Sequence, residues 1–158
     1  VADNSDCAGR GFVAALDVMA RGLEGKQVLV IGAGPVGKGA AMALAGFGAE
    51  ITVHDVNPTA SAALVDCIWQ QTGCRARIEP SLTKALEQHS FIIDASPGEG
   101  LIQPEYIKPD TLIAAPGVPL GISGECSQLL SGKVLHNPLQ LGVATMLYDA
   151  LRGTAYGD

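Results

Sequence analysis

The chain has 158 residues, of which 47% are hydrophobic and 4% aromatic, and this length predicts one domain with its own hydrophobic core. Its formal net charge of −6, without any run of lysine or arginine, argues against binding to nucleic acid. Four cysteines without CxxC spacing argue against a metal site, and the absence of a signal stretch or a membrane-length apolar run predicts a cytoplasmic protein.

The first half of the chain predicts one βαβ unit preceded by a helix. Apolar residues at helical spacing predict that first helix over 11–22. Continuous runs of β-branched residues predict buried strands over 27–31 and 50–54, and an alanine-rich segment predicts a helix over 38–47. The small residues of this region suit helices that pack closely on a parallel sheet.

The second half continues the alternation of helices and strands. Helices are expected over 59–72 and over 82–88, where Ser81 is the candidate N-cap. A weak strand is expected over 75–79, and further strands are expected over 91–95, 111–115 and 133–136. An amphipathic helix over 140–152 ends the pattern. The predicted fold class is therefore α/β, a doubly wound parallel sheet of the Rossmann type with a preceding helix and a C-terminal return helix.

A glycine motif links the first predicted strand to the next helix. Residues 32–37 read GAGPVG, a GxGxxG pattern in the strand-turn-helix context that gives it meaning. Gly32 permits the tight turn, Gly34 lets a pyrophosphate approach the backbone, and Gly37 lets the helix pack on the strands. The N-terminus of the following helix would also offer a phosphate its unpaired N–H groups and the positive end of the helix dipole. The predicted cofactor-binding residues here are Gly32, Gly34, Pro35, Val36 and Gly37, and the simpler alternative is a turn without a ligand.

An acidic residue after the second predicted strand indicates which dinucleotide binds. Asp55 stands where a carboxylate accepts hydrogen bonds from the adenosine ribose hydroxyls, and it would repel the 2′-phosphate of NADP. Residues 56–59 contain no cation that would attract this phosphate. We therefore expect NAD in preference to NADP, with FAD as a lesser alternative, and Asp55 and Val56 as cofactor-binding residues.

Polar and small residues follow the later strands, at the edge of a parallel sheet where ligands bind. Six of them are expected to border the nicotinamide, unless they only terminate strands: Ser96, Pro97, Gly98, Ala115, Pro116 and Gly117. Asp94 either caps the next loop or borders the cofactor. His136 either lies in a surface turn or contacts the substrate.

The polar segment at the start of the chain has two interpretations. Asn4 and Asp6 precede the first predicted helix, and their side chains could cap its free N–H groups. Alternatively, they reach across the cleft to the substrate and act as catalytic residues, within hydrogen-bond range of the group that is oxidised.

The order of elements resembles the C-terminal half of the shikimate dehydrogenase and methylenetetrahydrofolate dehydrogenase superfamily. The resemblance also rests on NSD at 4–6 followed by GFVAAL at 11–16. Within the superfamily, the chain is similar to the dehydrogenases of pyrrolysine biosynthesis at 3–5, 32–41 (GAGPVGKGAA), 92–97 (IIDASP), 114–119 (AAPGVP) and 136–146 (HNPLQLGVATM). The chain departs from shikimate dehydrogenases in the additional residues 7–10 and in DVN at 55–57, where those enzymes carry an NADP-binding Asn-Arg-Thr segment.

The resemblance implies a specific reaction and domain organisation. The implied reaction is NAD-dependent oxidation of a primary amine of 3-methylornithyl-lysine to an imine, followed by loss of ammonia through the aldehyde and closure to a pyrroline ring. Residues 1–158 would be the cofactor domain of a larger two-domain dehydrogenase whose N-terminal substrate domain is absent from this chain. A homodimer is a further expectation. The alternatives are a shikimate-type or methylenetetrahydrofolate-type dehydrogenase and a non-catalytic module that senses NAD.

Overall fold

A computed structural model describes residues 4–116, 121–126 and 128–136 of the chain. Within this part, the helices are α1 (Asn4–Ala20), α2 (Pro35–Gly46), α3 (Pro58–Thr72) and α4 (Leu82–Gln88). The strands are β1 (Gln27–Ile31), β2 (Glu50–His54), β3 (Arg77–Ile78), β4 (Phe91–Asp94), β5 (Leu112–Ala114) and β6 (Val134–Leu135). No helix among the described residues is long and apolar enough to cross a membrane.

The six described strands form one parallel sheet in the order β3-β2-β1-β4-β5-β6. The chain moves outward from β1 through β2 to β3, then crosses back to β4 on the other side of β1. The strand order therefore reverses between β1 and β4, and in open parallel sheets the crevice outside this point is where ligands bind. This topology confirms the predicted Rossmann-type α/β fold.

Both faces of the sheet are buried, which explains why its central strands are continuously apolar. Val28 and Val30 of β1 pack in one core with side chains from α1, α2 and α3. Leu29 and Ile31 point to the other face and pack with α4 and the segments that follow β4. The alternation along β1 therefore supplies two separate cores.

The helices α1 and α2 meet at glycines that let their backbones approach closely. A Cβ atom at Gly9 would lie 2.5 Å from both the Ala40 nitrogen and the Val36 oxygen. A Cβ atom at Gly39 would lie 2.8 Å from the Cα atom of Asp6. The contact therefore requires glycine on both helices, and it fixes the start of α1 beside the start of α2.

Several predicted bounds are confirmed without change, namely 27–31, 50–54 and 82–88. The Ser81 cap is also confirmed, because its hydroxyl accepts a hydrogen bond from the Lys84 N–H at 3.3 Å. The helix predicted over 38–47 begins three residues earlier, at Pro35, a residue that suits the first helical position. The strands predicted over 75–79, 91–95, 111–115 and 133–136 are shorter at their ends, and the helix over 140–152 lies outside the described residues.

The prediction for the first helix was wrong at its start. The structure begins α1 at Asn4 instead of Gly11, so Asn4 and Asp6 lie inside the helix and do not precede it as a capping cluster. The glycines at 9 and 11 are poor helix formers, and they made this segment look unsuited to a helix. The close contact with α2 compensates for that weakness, as does the ion pair between Asp6 and Arg10 one turn apart.

Candidate functional site

A cleft of about 560 Å³ opens at the carboxyl ends of β1, β2 and β4, where the strand order reverses. Nine of the residues predicted to bind or border the cofactor line it: Gly32, Gly34, Pro35, Val36, Asp55, Val56, Ser96, Pro97 and Gly98. The fold therefore brings the glycine motif, the end of β2 and the end of β4 into one cavity. Its size is within the range of small-molecule and cofactor sites.

Glycine suits the three positions of the motif for different physical reasons. Gly32 has a φ of 97°, and a Cβ atom there would lie 2.9 Å from the backbone of Ala95. A Cβ atom at Gly37, which lies behind the cleft, would overlap the carbonyl oxygen of Gly32. Gly34 instead has an ordinary φ of −75°, and nothing lies within 4 Å of where its Cβ atom would be. The protein's own packing thus does not require glycine at 34, whereas a ligand held against the backbone there would require it.

The N-terminus of α2 faces the cleft without a side-chain cap. Gly34 is the N-cap residue and has no side chain to donate or accept a bond, Pro35 follows it, and the first turn holds no acidic residue. The positive end of the helix dipole and its first N–H groups are therefore available to an anion. Together with the open space at Gly34, these groups fit the pyrophosphate of a dinucleotide.

The carboxylate of Asp55 is held in place by two backbone N–H groups. Ala33 donates to Oδ2 and Asn57 donates to Oδ1, both at 2.8 Å. Each carboxylate oxygen can accept a further bond, so Asp55 could also accept hydrogen bonds from the hydroxyl groups of a ligand. Val56 beside it is 94% exposed, an apolar side chain at the rim of the cleft. Among the residues that the structure describes, no lysine or arginine lines this cleft.

The end of β4 forms the opposite wall. Asp94 is fully buried, and its Oδ1 accepts hydrogen bonds from the N–H of Ser96 at 3.2 Å and from its hydroxyl at 2.8 Å. Burial raises the pKa of Asp94, and the hydrogen bonds from Ser96 oppose that shift only in part. Of the two alternatives for Asp94, the structure therefore shows it bonded to the loop that follows its strand.

The strand-end residues of β5 and β6 lie outside this cleft. Ala115 and Pro116 are not part of its lining, and Gly117 lies outside the described residues. Ala115 is buried, with its N–H donating to Leu135 and its carbonyl accepting a bond from Nδ1 of His136 at 2.8 Å. The backbone of Ala115 is therefore used to join the ends of β5 and β6.

The two residues predicted to be catalytic lie on α1, away from the wall formed by Ser96. Asn4 is the first residue of the helix. Asp6 lines a second cleft, of about 760 Å³, which shares Gly34 and Pro35 with the first. Its Oδ2 lies 3.2 Å from Nε of Arg10, so an ion pair holds this carboxylate at the surface of α1.

Five residues of the first cleft were not predicted to bind a cofactor: Ile31, His54, Leu82, Ala95 and Leu101. His54 is buried, and its Nδ1 donates to the carbonyl oxygen of Glu79 at 2.8 Å, so its ring ties β2 to the end of β3. Leu82 is the first residue of α4, and Leu101 lies in the loop after β4. Both are distant in sequence from the glycine motif, and no local sequence pattern identifies them as cleft residues. Ile31, His54 and Ala95 end predicted strands, so their place at the edge of the sheet could have identified them. Among the described residues, no three His, Cys, Asp or Glu side chains group together as metal ligands.

Comparisons with known proteins agree with this geometry. A family described as the NAD-binding domain of S-adenosyl-L-homocysteine hydrolase matches residues 8–91, which is just over half of the chain. The match extends from α1 to the start of β4, and it contains the glycine motif and Asp55.

Curated relatives and solved structures point the same way. Pyrrolysine synthase of Methanosarcina acetivorans is 28% identical over 153 residues, covering 96% of this chain and 55% of that protein. Shikimate dehydrogenase (NADP(+)) of Desulfitobacterium hafniense is 37% identical over 120 residues, covering 72% and 42%. Quinate dehydrogenase from Corynebacterium glutamicum in complex with NAD superposes with a TM-score of 0.65 at 19% identity, covering 92% and 56%. The chain spans about half the length of the curated relatives it matches, and the resemblance to the pyrrolysine enzymes is confirmed.

Proposed function

The chain belongs to the family of the S-adenosyl-L-homocysteine hydrolase NAD-binding domain, and from this premise we propose that it is the cofactor half of a NAD-dependent dehydrogenase. The observation that carries the proposal is the open position at Gly34, which lies between the uncapped start of α2 and the carboxylate of Asp55 in one cleft. Bound NAD would supply the hydride acceptor. The chain's own residues bind and orient the dinucleotide.

The preference for NAD over NADP follows from the charges around the adenosine ribose. Asp55 is fixed by Ala33 and Asn57, so it cannot turn away from a 2′-phosphate without losing both hydrogen bonds. The described residues of the cleft include no lysine or arginine that would compensate the repulsion. A ribose with two free hydroxyls instead finds an acceptor already in place.

The proposed substrate is 3-methylornithyl-lysine, whose primary amine would be oxidised during pyrrolysine biosynthesis. Support comes from the similarity to pyrrolysine synthase over 96% of the chain, a wider share than the 72% matched by the shikimate enzyme. The carboxylate at 55, where NADP enzymes of the shikimate type place basic residues, also favours the NAD-dependent alternative. The partner is then a small molecule of the amino-acid type, and the remaining substrate contacts lie in the rest of the protein.

Binding of NAD is tested by calorimetry on Gly34→Val. We expect the variant to lose NAD affinity by at least about a hundredfold while its circular dichroism stays native, because the new side chain fills the position of the pyrophosphate. Gly46→Val is the matched control, since Gly46 also has open space around its Cβ position but lies outside the cleft. Normal NAD affinity in Gly34→Val would contradict the proposed site.

The substrate is tested with the full-length protein, NAD and 3-methylornithyl-lysine. Formation of NADH and of a pyrroline product detected by mass spectrometry is the expected result. NADH formed with shikimate instead would identify a shikimate-type dehydrogenase. Tight NAD binding without turnover of either compound would favour the NAD-sensing module.

A further inference from the structure

A buried histidine lies in the wall of the cofactor cleft with one ring nitrogen that the fold does not use. His54 is the last residue of β2, is 5% exposed and lines the cleft. Its Nδ1 lies 2.8 Å from the carbonyl oxygen of Glu79. Because a carbonyl oxygen can only accept a hydrogen bond, Nδ1 carries the proton, and in the neutral ring Nε2 is then an acceptor.

The acceptor Nε2 of His54 remains open to the cleft. Within the described part of the chain, only Nδ1 of this ring has a hydrogen-bond partner. Oδ2 of Asp94 is the only fully buried side-chain nitrogen or oxygen atom of the described residues that lacks a partner, so Nε2 is not sealed in the core. A second buried histidine, His89, differs, because Ala85 and Thr52 occupy both of its ring nitrogens. The free acceptor of His54 is therefore available to a molecule in the cleft.

The alternation along β2 places this acceptor on the face of the sheet that carries α4. Val53 packs in the core with α1, α2 and α3, so Thr52 and His54 point to the opposite face. His54 pairs in register with Ile31 of β1, and both line the cleft together with Leu82, the first residue of α4. The corner formed by Ile31, His54 and Leu82 therefore combines two apolar side chains with one polar ring.

This corner lies next to the groups proposed to bind the adenosine ribose. The pyrophosphate is proposed at Gly34 after β1 and the ribose at Asp55 after β2, so the adenosine half runs from the end of β1 towards the end of β2. The base is the next group beyond the ribose, and His54 adjoins Asp55 in the chain. Apolar side chains can pack on the faces of a purine, whereas its polar edge needs hydrogen-bond partners. On adenine, the group that donates to an acceptor is the exocyclic N6 amino group.

We propose that His54 makes the cleft selective for adenine: its Nε2 accepts a hydrogen bond from the N6 amino group of the bound dinucleotide. This inference rests on the proposed NAD site. A base with an oxygen at this position, such as hypoxanthine, would place a second acceptor against Nε2, and both atoms would lose a hydrogen bond. The bond from Nδ1 to the Glu79 carbonyl keeps Nε2 in place, because turning the ring over would break it.

The first test compares NAD with nicotinamide hypoxanthine dinucleotide, which carries an oxygen where adenine carries its amino group. By calorimetry at about pH 8.5, where free imidazole side chains are neutral, we expect the unmodified protein to bind the hypoxanthine compound at least about tenfold more weakly. In His54→Leu, which has no acceptor, the ratio of the two dissociation constants should fall towards one, whatever the substitution does to the affinities themselves.

The control is His89→Gln, because this buried histidine also contacts β2 but does not line the cleft. It should keep the ratio of the unmodified protein. A ratio near one in the unmodified protein would overturn the proposal, and so would the same ratio in His54→Leu as in the unmodified protein.

The second test needs no substitution and covers the case in which His54→Leu fails to fold. In the unmodified protein with ¹⁵N-labelled histidine, the Nε2 resonance of His54 should be that of an unprotonated nitrogen. Addition of NAD should shift this resonance more than addition of the hypoxanthine compound does. A proton on Nε2 in the free protein, or equal shifts with the two dinucleotides, would contradict the proposal. Failure to bind either dinucleotide would instead refute the proposed function.

Discussion

At the scale of single residues, we expect Asp55 to discriminate between NAD and NADP. We expect Asp55→Ala to narrow the difference in binding free energy between NAD and NADP by about 1–2 kcal/mol, because a ribose hydroxyl loses a charged acceptor and the 2′-phosphate loses a repulsive neighbour. Calorimetry with both cofactors measures the difference. Asp66→Ala on the surface of α3 is the control that should preserve it. Equal affinities for NAD and NADP before any mutation would refute the assignment.

His89 gives a prediction for stability against pH. Its ring is buried, with Nδ1 donating to the Ala85 carbonyl and Nε2 accepting from the Thr52 hydroxyl. Burial lowers the pKa of His89 from 6.5, and Arg77 and Lys108 lower it further. Between pH 6.5 and the lowered pKa, the unfolded chain carries the proton on His89 and the folded chain does not. The free energy of unfolding should therefore decrease as pH falls through 6.5 towards the lowered pKa.

Urea denaturation at a series of pH values checks this contribution against His89→Gln, which retains polar groups but does not titrate in this range. The loss of stability on acidification should be smaller in the variant. Parallel pH dependences for the two proteins would show that His89 contributes nothing to acid sensitivity.

Local sequence patterns could identify some residues of the cleft and its surroundings but not others. Gly34 and Asp55 could be predicted because a dinucleotide site fixes their spacing along one βαβ unit. The burial of Asp94 could not, since it depends on Gly121, which is distant in sequence and approaches only in the folded chain. Ala115 looked equivalent to Ser96, because each follows a strand. The ends of β5 and β6 use its backbone instead, which keeps it out of the cleft.

At the scale of secondary-structure elements, the contact between α1 and α2 depends on Gly9. We expect Gly9→Ala to lower the free energy of unfolding by about 1–3 kcal/mol, because the added methyl group meets the backbone of α2 at 2.5 Å and the helices must separate. Gly46→Ala is the matched control, since its Cβ atom meets nothing and alanine is the better helix former. Chemical denaturation of both variants measures the difference, and equal stabilities would contradict the role of close helix packing.

The bounds of some helices and strands could be predicted from the sequence more accurately than those of others. The runs QVLVI and EITVH gave the bounds of β1 and β2 correctly, because strands buried on both faces leave a continuous apolar signal. The start of α1 was missed by seven residues, since its helical state is set by packing on α2 and not by intrinsic propensity. Short strands such as β3 and β6 were located but overextended, because their ends are defined by pairing with a neighbour.

At the scale of the whole molecule, two clefts meet at the rim formed by Gly34 and Pro35. One holds the groups proposed to bind NAD, and the other is lined by Asp6, Arg10 and Lys38 from the starts of α1 and α2. The chain spans about half the length of its curated relatives, and we propose that the groups that complete a substrate site belong to a second domain.

Asp6 is the residue on this chain that we propose acts on the substrate. Its side chain is 39% exposed beside the rim shared with the cofactor cleft, and its carboxylate could accept a proton from the amine before hydride leaves the adjacent carbon. Asp6→Asn in the complete protein should lower kcat by about 10²–10⁴-fold, the usual contribution of a general base, with NAD affinity unchanged. Arg10→Gln breaks the same ion pair while leaving the carboxylate, so it should reduce kcat far less. Equal losses in the two variants would mean that the ion pair, and not the carboxylate as a base, is what the enzyme needs on α1.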